Sequence, residues 1–221
     1  MITPFSIAID GPSGSGKSSL AKAVAKSLGI FHLDSGAFYR AVAYHLNRHA
    51  VDFQSNERCQ EALKSIHFEI SPAGIVMNGV VLGEEIRTSE NSQIASKVSM
   101  VRQVREFVTK VVCELSKDEN VIMDGRDIGT VVLSNANLKF FITASVEERA
   151  RRRQIELAQQ GYHASFAEML EEIKERDHRD TSREISPLKP APDAILIDTT
   201  DLSFEKAVEI VTSIIREKIP L

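Results

Sequence analysis

The 221-residue sequence contains no tryptophan, only two cysteines and no long apolar run. Cys59 and Cys113 stand alone, which excludes the paired spacing of a zinc site or a redox disulfide and indicates reduced thiols in a cytoplasmic protein. No apolar stretch approaches the roughly 20 residues that a membrane-spanning helix needs. The net charge of −4 argues against a broad nucleic-acid-binding surface, so an anion would have to be bound at a local site.

The clearest motif lies near the start of the sequence and fits G-x-x-x-x-G-K-[ST], the pattern of a phosphate-binding loop. This phosphate loop comprises Gly11, Pro12, Ser13, Gly14, Ser15, Gly16, Lys17 and Ser18, and Ser19 completes the predicted ATP-binding segment. An apolar strand is predicted before it, and a helix that ends at Gly29 after it. Backbone N–H groups would surround phosphate, Lys17 would reach the outer phosphates, and Ser18 would bind Mg²⁺. Because the loop begins at residue 11, we expect no cleavable leader before it.

Five short apolar segments alternate with helical patterns, at residues 5–9, 31–33, 121–124, 138–143 and 194–197. This alternation predicts an α/β fold, a five-stranded parallel sheet with helices on both faces. Residues 66–86 interrupt it with three strand-like runs and an Asn78-Gly79 turn, which indicates a small antiparallel insertion. We also expect Ser35 to cap a helix, and Ser145 with Glu148 and Ser165 with Glu168 to form capping boxes.

Two aspartates compete for the metal-binding role beside Ser18. Asp124 closes an apolar strand, which is where a phosphate-loop protein holds Mg²⁺, directly or through water. Asp34 also ends a predicted strand. A turn or helix cap explains an aspartate at such a position equally well, so the sequence leaves this choice open.

Arginines are placed where an anionic ligand would be expected. Five of them lie on or beside predicted strand ends and helix termini: Arg40, Arg105, Arg126, Arg176 and Arg183. Of the arginines that begin the helix after Ser145, Arg149 and Arg153 share one face, and we favour that pair. No histidine shows ligand spacing and no general base is evident. If the acceptor is itself a phosphate monoester, none is needed, because its oxygen is already anionic and catalysis reduces to aligning two phosphates.

Several stretches together resemble one family, the bacterial-type cytidylate kinases, which are nucleoside monophosphate kinases. The resemblance covers nearly the whole chain. Its specific parts are Leu33-Asp-Ser-Gly-Ala-Phe-Tyr-Arg40, Asp124-Gly-Arg-Asp-Ile-Gly-Thr130 and Lys174-Glu-Arg-Asp-His-Arg-Asp180. The sequence departs from the family at Leu133-Ser-Asn135, where an aromatic residue followed by Pro-Asp is usual.

The resemblance implies that the γ-phosphoryl group of ATP is transferred to CMP or dCMP with Mg²⁺ as cofactor. Lys17, Arg126, Arg149 and Arg153 would be the catalytic groups. Ser96, Arg105 and Asp127 would recognise cytosine, whose amino group suits a carboxylate and whose ring acceptors suit an arginine. The implied acceptor-nucleotide contacts are Ser35, Tyr39, Arg40, Ser96, Arg105, Arg126, Asp127, Arg176, Asp180 and Arg183.

The resemblance also implies one kinase domain over 1–221 and a monomer. From the charge and the apolar runs we expect neither a nucleic-acid nor a membrane partner. Its core would be 1–34, 119–147 and 184–221, its monophosphate-binding region 35–118, and its lid 148–183, which closes to expel water. Two alternatives stay open. One is a phosphate-loop kinase for another small metabolite, and the other is a nucleotide-dependent switch that binds without transferring.

Overall fold

The computed structural model describes residues 4–72, 74–159 and 161–219. The chain divides into two compact units, the first made of the residues up to Leu33 and from Glu119 onward, the second of Asp34–Asp118. Outside the described residues lie residues 1–3 and 220–221 of the predicted core, Ala73 of the predicted insertion and Gln160 of the predicted lid.

The strands are β1 (Ser6–Asp10), β2 (Phe31–Asp34), β3 (Phe68–Ser71), β4 (Gly74–Met77), β5 (Val80–Val81), β6 (Val121–Gly125), β7 (Leu138–Thr143) and β8 (Ile195–Asp198). The α-helices are α1 (Lys17–Leu28), α2 (Ser35–Arg48), α3 (Asn56–Lys64), α4 (Ser89–Val98), α5 (Arg102–Ser116), α6 (Val146–Gln159), α7 (Phe166–Ser182) and α8 (Phe204–Lys218). A 3₁₀ turn at Glu84–Arg87 and a π-helical turn at Ile128–Val132 complete the set. No helix in the described ranges is both long and apolar enough to cross a membrane.

A five-stranded sheet in the order β2-β6-β1-β7-β8 forms the centre of the first unit. β1 runs parallel to both β6 and β7, and β7 runs parallel to β8. The predicted parallel sheet is therefore confirmed. Because β1 is the middle strand, the phosphate loop leaves the sheet at the centre of its carboxyl edge, where ligands bind in such folds.

The core of the first unit packs α1 and α8 against this sheet. Ile7, Ile9 and Phe140 from the strands meet Val24 of α1 and Val211 of α8, all of them almost completely buried. α6 and α7 form a separate small cluster around Ala150, Leu157 and Met169. Burial of apolar side chains along one face thus anchors α1, and with it the phosphate loop that immediately precedes α1.

The second unit contains the predicted antiparallel insertion. β3, β4 and β5 form a three-stranded antiparallel sheet, and Met77 pairs with Val80 across a two-residue turn. Asn78 and Gly79 have φ values of 52° and 77°, as a type I′ turn requires. The Phe68 ring packs edge-on against Phe38 of α2, with ring centroids 5.1 Å apart.

Two predicted helix starts are wrong in their details. α2 is capped by Asp34 and not by Ser35, because the Asp34 carboxylate accepts a hydrogen bond from the Ala37 backbone N–H and Ser35 is already helical. The Ser145 hydroxyl does accept a hydrogen bond from the Glu148 N–H. The Glu148 carboxylate, however, pairs with Arg151 and Arg152, and the Ser145 N–H donates to the Thr200 hydroxyl instead. The capping box of Ser165 and Glu168 is confirmed.

Candidate active site

The phosphate loop is shaped by close contacts that only glycine allows. A Cβ atom on Gly11 would lie 2.0 Å from the carbonyl oxygen of Ile142 in β7. Gly14 has a φ of 73°, and a Cβ there would meet the Arg149 backbone of α6 at 3.0 Å. The buried Ser15 hydroxyl has no hydrogen-bond partner among the described residues. A buried donor without a partner is costly, and a phosphate oxygen bound in this loop would satisfy it.

Lys17 is held inside the loop that it belongs to. It is buried, and its Nζ donates a 3.2 Å hydrogen bond to the Pro12 carbonyl. Burial lowers the pKa of Lys17 to about 7, and the nearby positive charge of Arg126 acts in the same direction. An anion bound beside Lys17 would stabilise the charged form of its side chain, so the loop is suited to bind phosphate.

Asp124 joins two other side chains at the carboxyl end of β6. One of its oxygens accepts the hydroxyl hydrogen of Ser18, and the other lies 2.8 Å from Nε2 of His32 on β2. A serine hydroxyl that donates its hydrogen keeps the lone pairs of its oxygen for a cation. Ser18 and Asp124 therefore fit the role of Mg²⁺ ligands, directly or through water, and Mg²⁺ bound to nucleotide phosphates needs only one or two protein ligands. No group of three or more metal-binding side chains was found among the residues the structure describes.

Asp34 is engaged in a different way. Oδ1 caps α2, and Oδ2 accepts a 2.7 Å hydrogen bond from Arg40. The Arg40 backbone carbonyl in turn accepts from the Asn91 side chain at 2.9 Å. These bonds fix the start of α2, which carries Ser35, Tyr39 and Arg40 on two successive turns.

An arginine and aspartate network extends from the loop after β6 to the end of α7. Arg126 Nε donates to Asp180 Oδ2 at 2.8 Å, and Arg183 lies 3.5 Å from Asp127 and 3.9 Å from Asp180. Burial by itself would raise the pKa of Asp180, but Arg126 and Arg176 outweigh it and hold that pKa below its usual value. Burial likewise opposes the charge on Arg126, yet Asp180 and Asp177 raise the pKa of Arg126 above its ordinary value. Arg126 and Asp180 therefore form an ionised pair near neutral pH.

Two arginines of α6 contact the phosphate loop. Arg149 donates to the Ser13 carbonyl at 3.1 Å and to Asp177 of α7 at 2.6 Å. Arg152 lies 3.4 Å from the Ser15 carbonyl and donates to the Thr199 carbonyl at 2.6 Å. Arg153, the residue that the helical spacing favoured, pairs with Glu156 at 2.9 Å. The structure thus brings Arg149 and Arg152 to the phosphate loop, whereas Arg153 pairs with Glu156 of its own helix.

In the second unit, the predicted acceptor-nucleotide contacts lie on α2, α4 and α5, and two of them, Ser96 of α4 and Arg105 of α5, are predicted to recognise cytosine. The third predicted cytosine contact, Asp127, lies in the first unit. The Arg105 guanidinium stands over the Tyr39 ring, 5.5 Å from its centroid, and donates to the Ser99 carbonyl at 3.0 Å. Arg105 is 3% exposed, which is rare for arginine, so it does not belong to a solvated helix face. Ser35 and Ser96 are also buried.

The sequence does not predict the contacts of several residues around the phosphate loop. It assigns His32 no role, because it does not reveal that β2 neighbours β6. Asp177 and Arg152 lie within runs of charged residues, where nothing in the sequence distinguishes them. Asp10 ends an apolar strand as Asp34 and Asp124 do, and that shared position is the available signal.

The comparison with known proteins identifies the family. Residues 7–217 match the model of the family described as Cytidylate kinase. The chain belongs to the cytidylate kinase family. It is 45% identical over 218 residues to a cytidylate kinase of Thermosipho melanesiensis, covering 99% of this chain and 100% of the relative. It is 46% identical over 209 residues to one of Caldicellulosiruptor bescii, covering 93% and 92% of the two chains.

Solved structures support the fold of this cytidylate kinase family member. TT1252 from Thermus thermophilus matches over all of both chains with a TM-score of 0.50 and 16% identity. Shikimate kinase from Bacteroides thetaiotaomicron matches over 96% of this chain and 98% of its own, with a TM-score of 0.50 and 14% identity. At such low identity these likenesses establish a phosphate-loop kinase fold and nothing about the substrate.

Proposed function

We propose that the protein transfers the γ-phosphoryl group of ATP to CMP or dCMP, giving ADP and CDP or dCDP. The observation that carries this proposal is the network of buried and half-buried arginines and aspartates in the same unit as the phosphate loop. Arg126 and Arg149 are each held by an aspartate of α7, at 2.8 and 2.6 Å. A protein that only bound ATP would have no use for so many additional cations.

The donor nucleotide would be bound by Gly11 to Ser19, with its outer phosphates against Lys17. Mg²⁺ would be held by Ser18 and Asp124, with Asp34 as the second candidate carboxylate. When bound, the metal neutralises charge on the phosphates and holds them in line. Lys17, Arg126, Arg149 and Arg153 would stabilise the charge that develops on the transferred group, and the contacts of Arg152 add it to this set.

The acceptor nucleotide would be recognised by residues that each unit already holds in place. Arg40, Arg126 and Arg183 would bind its phosphate, Arg176 and Asp180 its sugar, and Ser35 and Tyr39 would flank it. Ser96, Arg105 and Asp127 would recognise cytosine. Uracil would place a carbonyl oxygen where cytosine has an amino group, and that oxygen would face the Asp127 carboxylate without a hydrogen between them.

The aspartates would keep the arginines in position before the substrates arrive. Without them, buried arginines would repel one another and leave the site. Phosphate oxygens would accept hydrogen bonds from the same guanidinium groups, which would therefore need little reorganisation. The predicted lid, residues 148–183, carries Arg149, Arg176 and Asp177, and its closure would exclude water and limit wasteful ATP hydrolysis.

The deciding experiment is a product assay with ATP, Mg²⁺ and a panel of CMP, dCMP, UMP, AMP and GMP. We expect nucleoside diphosphate to form fastest with CMP or dCMP. Diphosphate formation from none of the five would contradict the proposal. Slow ATP hydrolysis that no monophosphate changes would instead favour the nucleotide-dependent switch. A monomeric state and a cytoplasmic location stay predictions, which size measurement in solution and cell fractionation can check.

A further inference from the structure

His32 lies directly beside the candidate metal site. It is the second residue of β2, which neighbours β6 in the sheet, and its Nε2 lies 2.8 Å from Oδ1 of Asp124. Asp124 is 1% exposed, so its carboxylate has little access to solvent. The remaining Asp124 oxygen, Oδ2, accepts the hydroxyl hydrogen of Ser18. The three side chains form one chain of hydrogen bonds that ends at the phosphate loop.

The direction of these hydrogen bonds follows from the chemistry of the groups. An ionised carboxylate only accepts, so both His32 Nε2 and Ser18 Oγ must donate to Asp124. The Ser18 oxygen then turns its lone pairs away from Asp124. A hydrogen bond to the oxygen that Ser18 does not contact further restricts rotation of the carboxylate, and with it the position of the serine hydroxyl.

We propose that His32 is a positioning residue that fixes the Asp124 carboxylate, and through it Ser18, for binding the Mg²⁺ that accompanies ATP. The inference rests on the proposed function for the identity of that nucleotide. Partners that orient metal ligands in this way often change metal affinity by about 10- to 100-fold when they are removed. His32 itself would touch neither the metal nor the transferred phosphoryl group.

Three substitutions separate positioning from simple packing. His32→Gln keeps an N–H donor at nearly the distance of Nε2, whereas His32→Asn is too short to reach Asp124 and His32→Leu has no donor. His45→Leu is the matched control, because His45 is a buried histidine of α2 whose ring contacts Ser65 and not Asp124. Thermal unfolding of each variant shows whether it folds, and His32→Asn takes the place of His32→Leu if the latter does not.

The measurement is the dissociation constant of a fluorescent ATP analogue, without acceptor, in Mg²⁺ and again in EDTA. We expect His32→Leu and His32→Asn to lose about 10-fold or more of the Mg²⁺-dependent gain in affinity, with binding in EDTA unchanged. His32→Gln and His45→Leu should keep the wild-type gain.

Two outcomes would overturn the proposal. One is a full Mg²⁺-dependent gain in folded His32→Leu or His32→Asn, and the other is an equal loss of binding in Mg²⁺ and in EDTA. Neither outcome bears on whether wild-type protein phosphorylates CMP, which the product assay measures separately. Conversely, wild-type protein inactive on all five monophosphates would refute the proposed function and leave this binding result standing.

Discussion

The Asp10 carboxylate at the end of β1 accepts a 2.7 Å hydrogen bond from the backbone N–H of Gly129. Its other oxygen accepts from the N–H of Ile128 at 2.8 Å. Asp10 immediately precedes the phosphate loop, and the segment that it grips continues directly from Arg126 and Asp127. One buried side chain therefore ties the strand that precedes the proposed donor site to the loop that carries two proposed acceptor contacts.

The burial of Asp10 predicts a pH-dependent stability. Burial raises the pKa of Asp10 from 3.8 to about 6, against the opposing effect of its two backbone hydrogen bonds. The folded protein therefore binds a proton more tightly than the unfolded chain, so this stabilisation is complete below pH 3.8 and is lost as the pH rises through about 6.

The difference between the two pKa values of Asp10 corresponds to about 3 kcal/mol in the free energy of unfolding. Denaturant unfolding of wild type and Asp10→Asn between pH 4 and 7 measures this contribution. The effects of other titrating groups cancel when the two free energies of unfolding are subtracted. The wild-type free energy of unfolding should fall relative to that of the variant as the pH rises. A difference that stays constant over this range would show that Asp10 does not titrate as its burial indicates.

Lys17→Ala should lower kcat far more than it weakens CMP binding. The lysine charge is needed where negative charge develops during transfer, and losing one such group typically costs about 100- to 1,000-fold in kcat. Steady-state kinetics with ATP and CMP provide the measurement, and exposed Lys22→Ala on the same helix is the control. A normal kcat with a raised KM for CMP alone would contradict this role.

Arg126→Ala should impair the acceptor side of the reaction. It removes a proposed phosphate contact and leaves the buried Asp180 without its 2.8 Å partner, so KM for CMP should rise or kcat fall by at least about tenfold. Arg151→Ala, at an exposed arginine of α6, controls for the loss of one positive charge. If both constants for CMP stayed normal, Arg126 would have no place in the acceptor site.

Asp127→Asn and Arg105→Met should each weaken the preference for cytosine over uracil. Loss of one matched hydrogen-bonding group costs about 10- to 100-fold in discrimination between bases. The ratio of kcat/KM for CMP to that for UMP is the quantity to measure, with thermal unfolding alongside it because both residues are buried. An unchanged ratio in both variants would refute the assignment of base recognition to these residues.

Arg152→Ala and Arg153→Ala test which arginine of α6 serves the donor site. Arg152 contacts Ser15 and Thr199, whereas Arg153 pairs with Glu156. We expect Arg152→Ala to raise KM for ATP by several-fold, as loss of a charge-assisted contact does, and Arg153→Ala to raise it less. The reverse order would mean that Arg153 leaves Glu156 when the nucleotide binds, as the helical spacing had predicted.

The sequence by itself determined the parallel sheet and the strand, glycine-rich loop and helix around Lys17, because these depend on local patterns. An apolar strand, the spacing from Gly11 to Ser18 and a helix ending at Gly29 lie within one short segment. Gly29 has the expected left-handed conformation, with a φ of 67°. The Asn78-Gly79 hairpin was equally predictable, since only a few residue types favour positive φ at both turn positions.

Tertiary structure alone decided which charged side chains are partners. Asp124 and His32 are 92 residues apart, and Arg126 and Asp180 are 54 apart. A sequence periodicity cannot reveal pairs so far apart in the chain, because strand order and helix packing bring the groups together. Competing donors also decided local details, because Arg151 and Arg152 bind the Glu148 carboxylate that the predicted capping box required. A long charged side chain can reach several partners, and the one that it contacts depends on elements that lie far away in the sequence.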